Sequence, residues 1–525
     1  MKKIKIAFLL VLLVISTAML CSCDFNDIFT SRGISIKVDS GDKLLTTDMT
    51  EGELRQSLKV TYERSILFFI PINIEIEDYE LECDYSEGLN NIVVKYDGIS
   101  ESAEGLFVDK TKISTEGDFL FCEINGFDYL LQYKGNDKNI VLPERAPYII
   151  YDRLFYNNKN IESVKLGDSV IQIGDSAFAH SSIKSIDFGS GIEKIGDGAF
   201  TACFDLEYVN IPSVEKWCAV DFYTPIPLRE EPERSPETDF ISDVYNTTYP
   251  FSSDYNHHKY GGYKATMEKG MLKYWTKNDK LAHTEYISVS NPVYFTGSIY
   301  LNNEKLEDVV IPDGVNKITI GFTGSDIKSL SIPNSVTSLS YGAFQGCTRL
   351  EKITVDYTPD LSTIDMVNRF TKAFDEDCAG FVELDGVYYI GNEENPYLIL
   401  VGLADKNVTT VNVPDGTLLV CAYSLYYRGY NISEITLPDS VKYVGNYIVQ
   451  TKSQTFRFNG GAGLDYIGLQ LWSHSTFDVI IDIGEPADWF YVDNDGTILD
   501  IPEKYNFFSI PFPLYNMRLY PYYPF

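Results

Sequence analysis

One stretch of sequence recurs in variant form along this chain. Its clearest copy is Ser331-Ile332-Pro333-Asn334-Ser335-Val336-Thr337-Ser338-Leu339, followed by Gly342-Ala343-Phe344-Gln345-Gly346-Cys347. The pattern predicts a short strand that ends at Ile332. The Pro-Asn-Ser that follows predicts a turn, because Pro presets φ and Asn tolerates turn geometry. Apolar residues then recur at Val336 and Leu339, and an Ala-Phe pair closes the unit. A unit this short cannot bury its apolar side alone, so the copies must stack.

The same unit returns along the middle of the chain. Each copy has an apolar residue at the end of a strand and others two and five residues earlier, so two of the three face the same side of the strand. All of these positions are apolar, whereas apolar residues make up 44% of the whole chain. The predicted strand ends are Leu166, Phe188, Ile211, Ile311, Ile332, Val355, Val413 and Leu437. The sequence therefore predicts an interrupted array of stacked repeats.

These phrases resemble the BspA-like, or treponemal, class of leucine-rich repeat. The resemblance covers residues 155–222 and 291–450, and it departs where Gly321-Phe322 and Ser424-Leu425 replace Ala-Phe. It implies a leucine-rich-repeat solenoid and, for some relatives, adhesion or host and cell-surface interaction. Further phrases that carry the resemblance are Asn210-Ile211-Pro212-Ser213-Val214-Glu215-Lys216-Trp217-Cys218, Leu301-Asn302-Asn303-Glu304-Lys305-Leu306 and Gly391-Asn392-Glu393-Glu394-Asn395-Pro396-Tyr397.

The predicted fold class is a β-rich repeat protein, a leucine-rich-repeat solenoid with a β-rich N-terminal domain and a non-repeat C-terminal region. The aromatic, Pro-rich end from Leu519 to Phe525 is interpreted as part of a cap on the last coil, with a stacking surface for sugar or a partner as the alternative. The predicted segments are a lipoprotein signal peptide (1–22), a β-rich N-terminal domain (23–150), a first repeat block (151–222), an insertion (223–300), a second repeat block (301–460) and a C-terminal cap region (461–525).

The first residues predict export and lipid attachment. Three lysines precede the apolar run Ile6–Ile15, as in an export signal. The end, Leu20-Cys21-Ser22-Cys23, resembles the bacterial lipobox and implies cleavage before Cys23 and diacylglycerol on its sulfur. An ordinary secretory signal with incidental cysteines is the alternative. Two or more acyl chains give stable anchoring, so the predicted location is the bacterial cell envelope, lipid-anchored and on the extracellular face.

Charge limits the range of partners. The 525 residues carry a formal net charge of −32. This balance argues against nucleic acid, since phosphate binding needs clustered Lys and Arg, and against adsorption to an anionic membrane by charge. The predicted partners are a membrane, through the lipid anchor, and a protein or glycan ligand.

No catalytic constellation appears in the sequence: there is no GxSxG elbow, P-loop, HExxH or dinucleotide glycine fingerprint. His257-His258 is not a chelating pair on a strand, and Asp493-Asn494-Asp495-Gly496 lacks the later ligands of a calcium loop. We therefore expect no cofactor, no metal site and no enzyme. The alternatives are a cell-envelope enzyme, possibly glycan-directed, with the repeats as an accessory recognition module, and a structural envelope protein without a diffusible ligand.

The candidate binding residues lie between the apolar strand positions. They project from one face if the strands stack in register. They are Lys165, Asp187, Asn210, Val310, Ser331, Thr354, Asn412 and Thr436. Two cysteines, Cys203 and Cys347, follow the Phe of an Ala-Phe pair at the same distance, which favours a structural role for both.

Overall fold

The computed structural model of the chain describes residues 29–38, 44–66, 70–229, 264–268, 271–275, 281–286, 288–358, 370–426, 431–446, 448–450, 455–468, 478–482, 489–492, 498–500 and 514–516. The predicted signal peptide and Cys23 lie outside these residues, as do His257-His258 and the aromatic end of the chain. The chain divides into two compact units, Met1–Tyr133 with Pro227–Arg229, and Lys134–Ile226 with Glu230–Phe525.

The first unit is β-rich, as predicted. Its strands pair mainly antiparallel, and two tight turns, Asp97-Gly98 and Asn125-Gly126, join neighbouring strands with positive φ at both residues, the primed geometry that suits a hairpin. Thr50 caps the short helix α1 and shares a capping box with Glu53. The elements are β1 (Phe29–Val38), β2 (Leu45–Thr46), α1 (Glu51–Gln56), β3 (Leu58–Ile66), β4 (Ile70–Glu75), β5 (Glu80–Cys83), β6 (Gly88–Tyr96), β7 (Ile99–Val108), a 3-10 turn (Lys110–Lys112), β8 (Ile113–Glu116), β9 (Phe119–Ile124) and β10 (Phe127–Tyr133).

The second unit begins with parallel strands that belong to successive coils. Ile140, Val164, Ile186 and Val209 occupy matching positions on four neighbouring strands, and all four are buried. Alternation along each strand places the flanking side chains on the opposite face. The strands are β11 (Asn139–Val141), β12 (Tyr148–Ile150), β13 (Ser163–Lys165), β14 (Val170–Ile173), β15 (Ser185–Asp187), β16 (Lys194–Ile195), β17 (Tyr208–Ile211) and β18 (Asp221–Phe222), with helix α2 (Val214–Ala219) before β18.

The stacking resumes after the insertion and continues in further parallel ladders, β24-β26-β28 and β32-β35-β38-β40. The elements are β19 (Lys264–Glu268), β20 (Met271–Trp275), β21 (Leu281–Tyr286), α3 (Val293–Thr296), β22 (Ile299–Leu301), β23 (Glu304–Lys305), β24 (Asp308–Val310), β25 (Lys317–Ile318), a 3-10 turn (Ile320–Phe322), β26 (Ser329–Ile332), β27 (Ser338–Leu339), β28 (Lys352–Val355), β29 (Val382–Leu384), β30 (Val387–Ile390), β31 (Ile399–Leu403), β32 (Thr410–Asn412), β33 (Leu419–Val420), β34 (Leu425–Tyr426), β35 (Glu434–Thr436), β36 (Tyr443–Val444), β37 (Val449–Gln450), β38 (Thr455–Asn459), β39 (Tyr466–Ile467), β40 (Asp478–Asp482), β41 (Trp489–Val492), β42 (Ile498–Asp500) and β43 (Leu514–Asn516).

Phenylalanine rings stack from coil to coil inside the solenoid. Phe178 lies between Phe155 and Phe200, with ring centroids 5.2 and 5.4 Å apart and nearly parallel planes. A second stack joins Phe322 to Phe344 at 5.8 Å and Phe344 to Phe374 at 5.2 Å. The Phe of each Ala-Phe pair therefore fills the space between successive coils. Phe322 keeps its place in the stack although Gly321 replaces the usual Ala.

Trp217 explains the exception at Gly321 and joins the two repeat blocks. Helix α2 buries Trp217 completely, and its indole Nε1–H donates a hydrogen bond of 2.8 Å to the Gly321 carbonyl. A Cβ at position 321 would lie 2.8 Å from that Nε1 atom, so the close approach requires glycine. Asn291 Nδ2 donates to the same carbonyl and to the carbonyl of Ile320. The insertion thus leaves the stacking of the coils on either side uninterrupted.

Within the predicted insertion (223–300), the structure describes residues 223–229 and 288–300 and a three-stranded antiparallel sheet of β19, β20 and β21. The chain returns to the solenoid before residue 300, where the sequence pattern ends the insertion. Phe200 N–H donates to the Val289 carbonyl, and Ile299 on β22 pairs in register with Val209 on β17.

The coils also extend beyond the predicted repeat blocks at both ends. β11 starts the first parallel ladder at Asn139, and β40 ends the last parallel ladder at Asp482. The repeat pattern is broken at these two coils because Asp137 and Asp478 stand five residues before the strand end, where the other copies have apolar residues. Past these coils, β43 pairs antiparallel with β39 and with β41, which adds non-repeat strands to the sheet of the last coils.

Two cysteines occupy equivalent sites in the two repeat blocks. Cys203 Sγ lies 3.1 Å from the Phe178 carbonyl oxygen, and Cys347 Sγ lies 3.2 Å from the Phe322 carbonyl oxygen. Both thiols also contact a buried serine hydroxyl one coil away. Burial raises the pKa of the Cys203 thiol to about 11 and that of Cys347 to about 12. The arrangement supports the structural role that the sequence suggests.

We expect Cys203 and Cys347 to resist thiol reagents in the native protein at pH 8, because the thiolate is the reactive species and burial disfavours it. Cys83 is half-buried and free, and it is the internal reference. The measurement is the rate of alkylation at each cysteine, followed by peptide mass mapping, with and without denaturant. Modification of Cys203 or Cys347 as fast as Cys83 before unfolding would contradict this burial.

Candidate functional site

The exposed face of the first parallel sheet brings three predicted binding residues into one row. Lys165 pairs in register with Asp187, and Asp187 pairs with Asn210. Val141 begins the row on β11 with two thirds of its surface exposed, and Tyr300 continues it on β22. The register that the sequence pattern requires is therefore present in this sheet.

The other predicted residues form similar rows on two further sheets. Val310, Ser331 and Thr354 are in register across β24, β26 and β28. Asn412 and Thr436 are in register on β32 and β35. The eight candidates thus divide among three sheets, and a role of any of them in binding stays a prediction.

A groove runs across the face of the first sheet. Its ends are formed by Asn139 on β11 and Tyr208 on β17, and its floor by the smaller Ser163 and Ser185 between them. The ends are three strand spacings apart, about 14 Å at roughly 4.8 Å per spacing. The groove has a volume of about 210 Å³. Enclosed small-molecule pockets are typically larger than roughly 300 Å³, so this groove fits part of an extended ligand.

A tight turn fixes one end of the groove. Asn302 and Asn303 have φ values of 52° and 66°, the left-handed geometry that asparagine tolerates and that a two-residue hairpin loop between β22 and β23 requires. The Tyr208 hydroxyl donates a 2.9 Å hydrogen bond to Asn303 Oδ1. The Asn303 backbone N–H donates to Asn210 Oδ1 at 3.2 Å. The hairpin therefore holds Tyr208 and Asn210 in place.

Two aromatic rings stand at this same end. Tyr208 and Tyr300 stack with ring centroids 4.1 Å apart and planes inclined by 30°. Tyr208 lines the groove and Tyr300 supports it from the neighbouring strand. Desolvation raises the pKa of the Tyr208 hydroxyl, with a smaller contribution from the nearby Asp187 carboxylate. Tyr208 is therefore a neutral hydrogen-bonding group at physiological pH.

The charged side chains of the groove balance each other. Asp187 Oδ1 accepts a 2.6 Å hydrogen bond from Asn210 Nδ2. Lys165 is exposed and forms no ion pair with any residue in the described ranges. One ammonium and one carboxylate leave the lining of the groove with no net formal charge, in contrast to the strongly acidic chain.

The sequence reasoning missed most of the groove. Ser163, Ser185 and Tyr208 lie two residues before the predicted Lys165, Asp187 and Asn210, and period-two alternation places them on the same face. That signal was available in the sequence. The contribution of Asn303 was not, because it comes from a hairpin more than 90 residues away from its partner Asn210 along the chain.

The described residues contain neither a cluster of metal ligands nor a membrane-spanning helix. That part of the chain holds no group of three or more His, Cys, Asp or Glu side chains placed to bind a metal ion. Within the same ranges, every helix is too short or too polar to cross a membrane.

Comparison with solved structures finds leucine-rich-repeat proteins of bacteria. A leucine rich cell surface protein of Faecalibacterium prausnitzii is 17% identical, with 67% of this chain and 77% of that chain covered and a TM-score of 0.25. A leucine-rich repeat protein of Bacteroides ovatus is 13% identical over 70% and 76% of the two chains, with a TM-score of 0.23. No curated protein matches the chain significantly.

The family model for the BspA type leucine rich repeat region matches the chain in six copies. The matched residues are 128–223, 282–370 and 404–481, which together cover half of the chain. They contain most strands of the parallel ladders, including β11 and most of β40, which lie outside the predicted repeat blocks. The chain therefore belongs to the BspA-type leucine-rich-repeat family.

Proposed function

We propose that this protein is an extracellular recognition protein of a bacterial cell envelope, anchored by lipid on Cys23, which binds a protein or glycan through the exposed faces of its solenoid. The observation that carries the proposal is the groove on the first sheet. Polar and aromatic side chains from four coils line it in register, and a hairpin turn fixes one end. Such an arrangement offers several hydrogen-bonding groups to one extended ligand.

The family supports a binding role. BspA-type repeat proteins are generally cell-surface proteins of bacteria, and leucine-rich-repeat surface proteins are typically non-enzymatic. Stacked repeats give extended surfaces suited to binding. Adhesion is the specific form of this role that we propose, with attachment to a host or neighbouring cell surface as its outcome.

Lipid attachment at Cys23 is testable in cells that express the full chain. We expect metabolic labelling with an alkyne fatty acid in the wild type and loss of label in Cys23→Ser, with Cys21→Ser as the matched control that keeps the label. Protease added to intact cells should cut the wild-type protein, since the proposal places it outside. Equal labelling of Cys23→Ser would refute this anchor, and full protection from protease would refute surface display.

A further inference from the structure

We propose that the groove on the first sheet binds a neutral glycan, with a sugar ring stacked on Tyr208. The inference rests on the proposed recognition function and narrows its ligand to one chemical class. Three features of the groove carry it: an aromatic ring at one end, polar side chains along its length, and zero net formal charge.

The aromatic end suits a pyranose ring. One side of Tyr208 stacks on Tyr300 at 4.1 Å, which leaves its groove side as a platform of fixed orientation. The C–H-bearing face of a sugar is apolar, whereas its rim carries hydroxyls. An aromatic platform bordered by polar groups matches both parts. The hydrogen bond from Tyr208 to Asn303 holds the ring before any ligand arrives, which lowers the ordering cost of binding.

The polar lining suits sugar hydroxyls, which both donate and accept hydrogen bonds. Asp187 offers a second carboxylate oxygen beyond the one that accepts from Asn210, and Lys165 offers an exposed ammonium without an ion pair in the described ranges. Ser185 lines the floor of the groove and is half-buried, and its hydroxyl can both donate and accept a hydrogen bond. Asn139 adds an amide at the far end, where Ser163 donates to its oxygen.

The dimensions suit a chain of sugars. Neighbouring coils repeat at roughly 4.8 Å along the solenoid, close to the length of one pyranose unit. The distance from Tyr208 to Asn139 therefore accommodates an oligosaccharide of two or three units that lies across the strands. A folded protein partner needs roughly 800 Å² of surface on each side, far more than a groove that narrow supplies.

Charge favours a neutral sugar over an acidic one. The groove itself has one positive and one negative side chain, and the whole chain carries −32. Long-range repulsion therefore opposes uronic acid or sulfated polymers. Neutral oligosaccharides are therefore the expected ligands, and acidic ones serve as the negative control.

The test uses the purified full-length chain and immobilised hexasaccharides of glucose (maltohexaose), xylose, mannose and N-acetylglucosamine. Hyaluronan and heparin are the acidic controls. We expect at least one neutral series to bind. Tyr208→Ala should weaken that binding tenfold or more, whereas Tyr208→Phe should keep most of it. Ser185→Tyr should abolish binding, because the larger side chain fills the groove while the residues at its ends stay unchanged.

Tyr156→Ala is the matched control, since Tyr156 is an exposed tyrosine of the same unit that does not line the groove. Circular dichroism and thermal unfolding establish that each variant is folded. Binding of none of the neutral sugars, binding of acidic polymers alone, or equal binding by Tyr208→Ala and Tyr156→Ala overturns the inference. Immobilised host-cell proteins are tested in parallel. If they bind and Lys165→Ala weakens their binding while no sugar binds, recognition by this face stands and only the glycan inference fails.

Discussion

Replacing Trp217 with alanine is expected to lower the free energy of unfolding by about 3–5 kcal/mol, the range for a large aromatic side chain removed from a core. Trp217 is fully buried, and its ring lies 5.0 Å from Phe188 and 5.8 Å from Phe222. It is also the donor to the Gly321 carbonyl on the far side of the insertion. The change therefore removes core packing and a link between the two repeat blocks together.

The hydrogen bond to Gly321 is the smaller part of this effect. Asn291 Nδ2 also donates to that carbonyl at 3.2 Å, so the oxygen keeps a partner after the tryptophan is removed. Trp217→Phe should consequently cost only about 1–2 kcal/mol, since it retains a ring and loses one hydrogen bond and some volume. Both variants lose the indole hydrogen bond, so the difference between their losses measures the packing of the ring that Trp217→Phe retains.

Urea titration followed by far-ultraviolet circular dichroism measures the two variants, and hydrogen exchange locates the effect. In a solenoid each coil contacts mainly its neighbours. Protection should thus fall in β17 and β18 on one side and in β25 and β27 on the other. An effect confined to the first block would contradict the role of Trp217 as the link, and a loss below 1 kcal/mol for Trp217→Ala would contradict its burial.

The central coils could be predicted from the sequence because their signal is local. Pro333 and Asp439 mark turns, and buried positions recur at fixed offsets on every clear copy. A coil that forms the same turn with other residues does not fit this repeat pattern. Gly461 stands where Pro438 stands one coil earlier, and a Cβ there would lie 2.2 Å from the Pro438 carbonyl oxygen. A Cβ at Gly189 would meet the Gly167 carbonyl oxygen in the same way, but Phe188 before it keeps the apolar strand end, so that coil still fits the pattern.

The candidate site was predictable only in part, for a related reason. Strand alternation gives the face of a residue, so Lys165, Asp187 and Asn210 could be placed on one surface from their spacing. Strand alternation does not indicate whether that surface is flat or recessed. The groove exists because two serines lie between Asn139 and Tyr208, and its end is fixed by a hairpin that folds back from beyond the insertion. Such contacts depend on which coils become neighbours, and a single repeat does not specify that.

Phe178→Ala is expected to cost about 3–5 kcal/mol as well, although for a different reason. Phe178 is completely buried, and its ring is held between Phe155 and Phe200 on the adjacent coils. Removal of the ring empties a space that neither neighbour can fill, because both are fixed by their own coils. Phe178→Leu keeps most of the volume and should cost no more than about 1.5 kcal/mol.

The decisive measurement is a double-mutant cycle with Phe200→Ala, read from urea unfolding curves. Because each single variant already removes the contact between the two stacked rings, the double variant should lose about 0.5–1.5 kcal/mol less than the sum of the two single losses. Phe127→Ala is the exposed control, since Phe127 keeps 41% of its surface in solvent, and it should change stability by no more than about 0.5 kcal/mol. Additive losses for Phe178 and Phe200 would mean that the stack only fills space. A measurable coupling would mean that each ring stabilises the position of the next, so that the stacked phenylalanines contribute to the folding cooperativity of neighbouring coils.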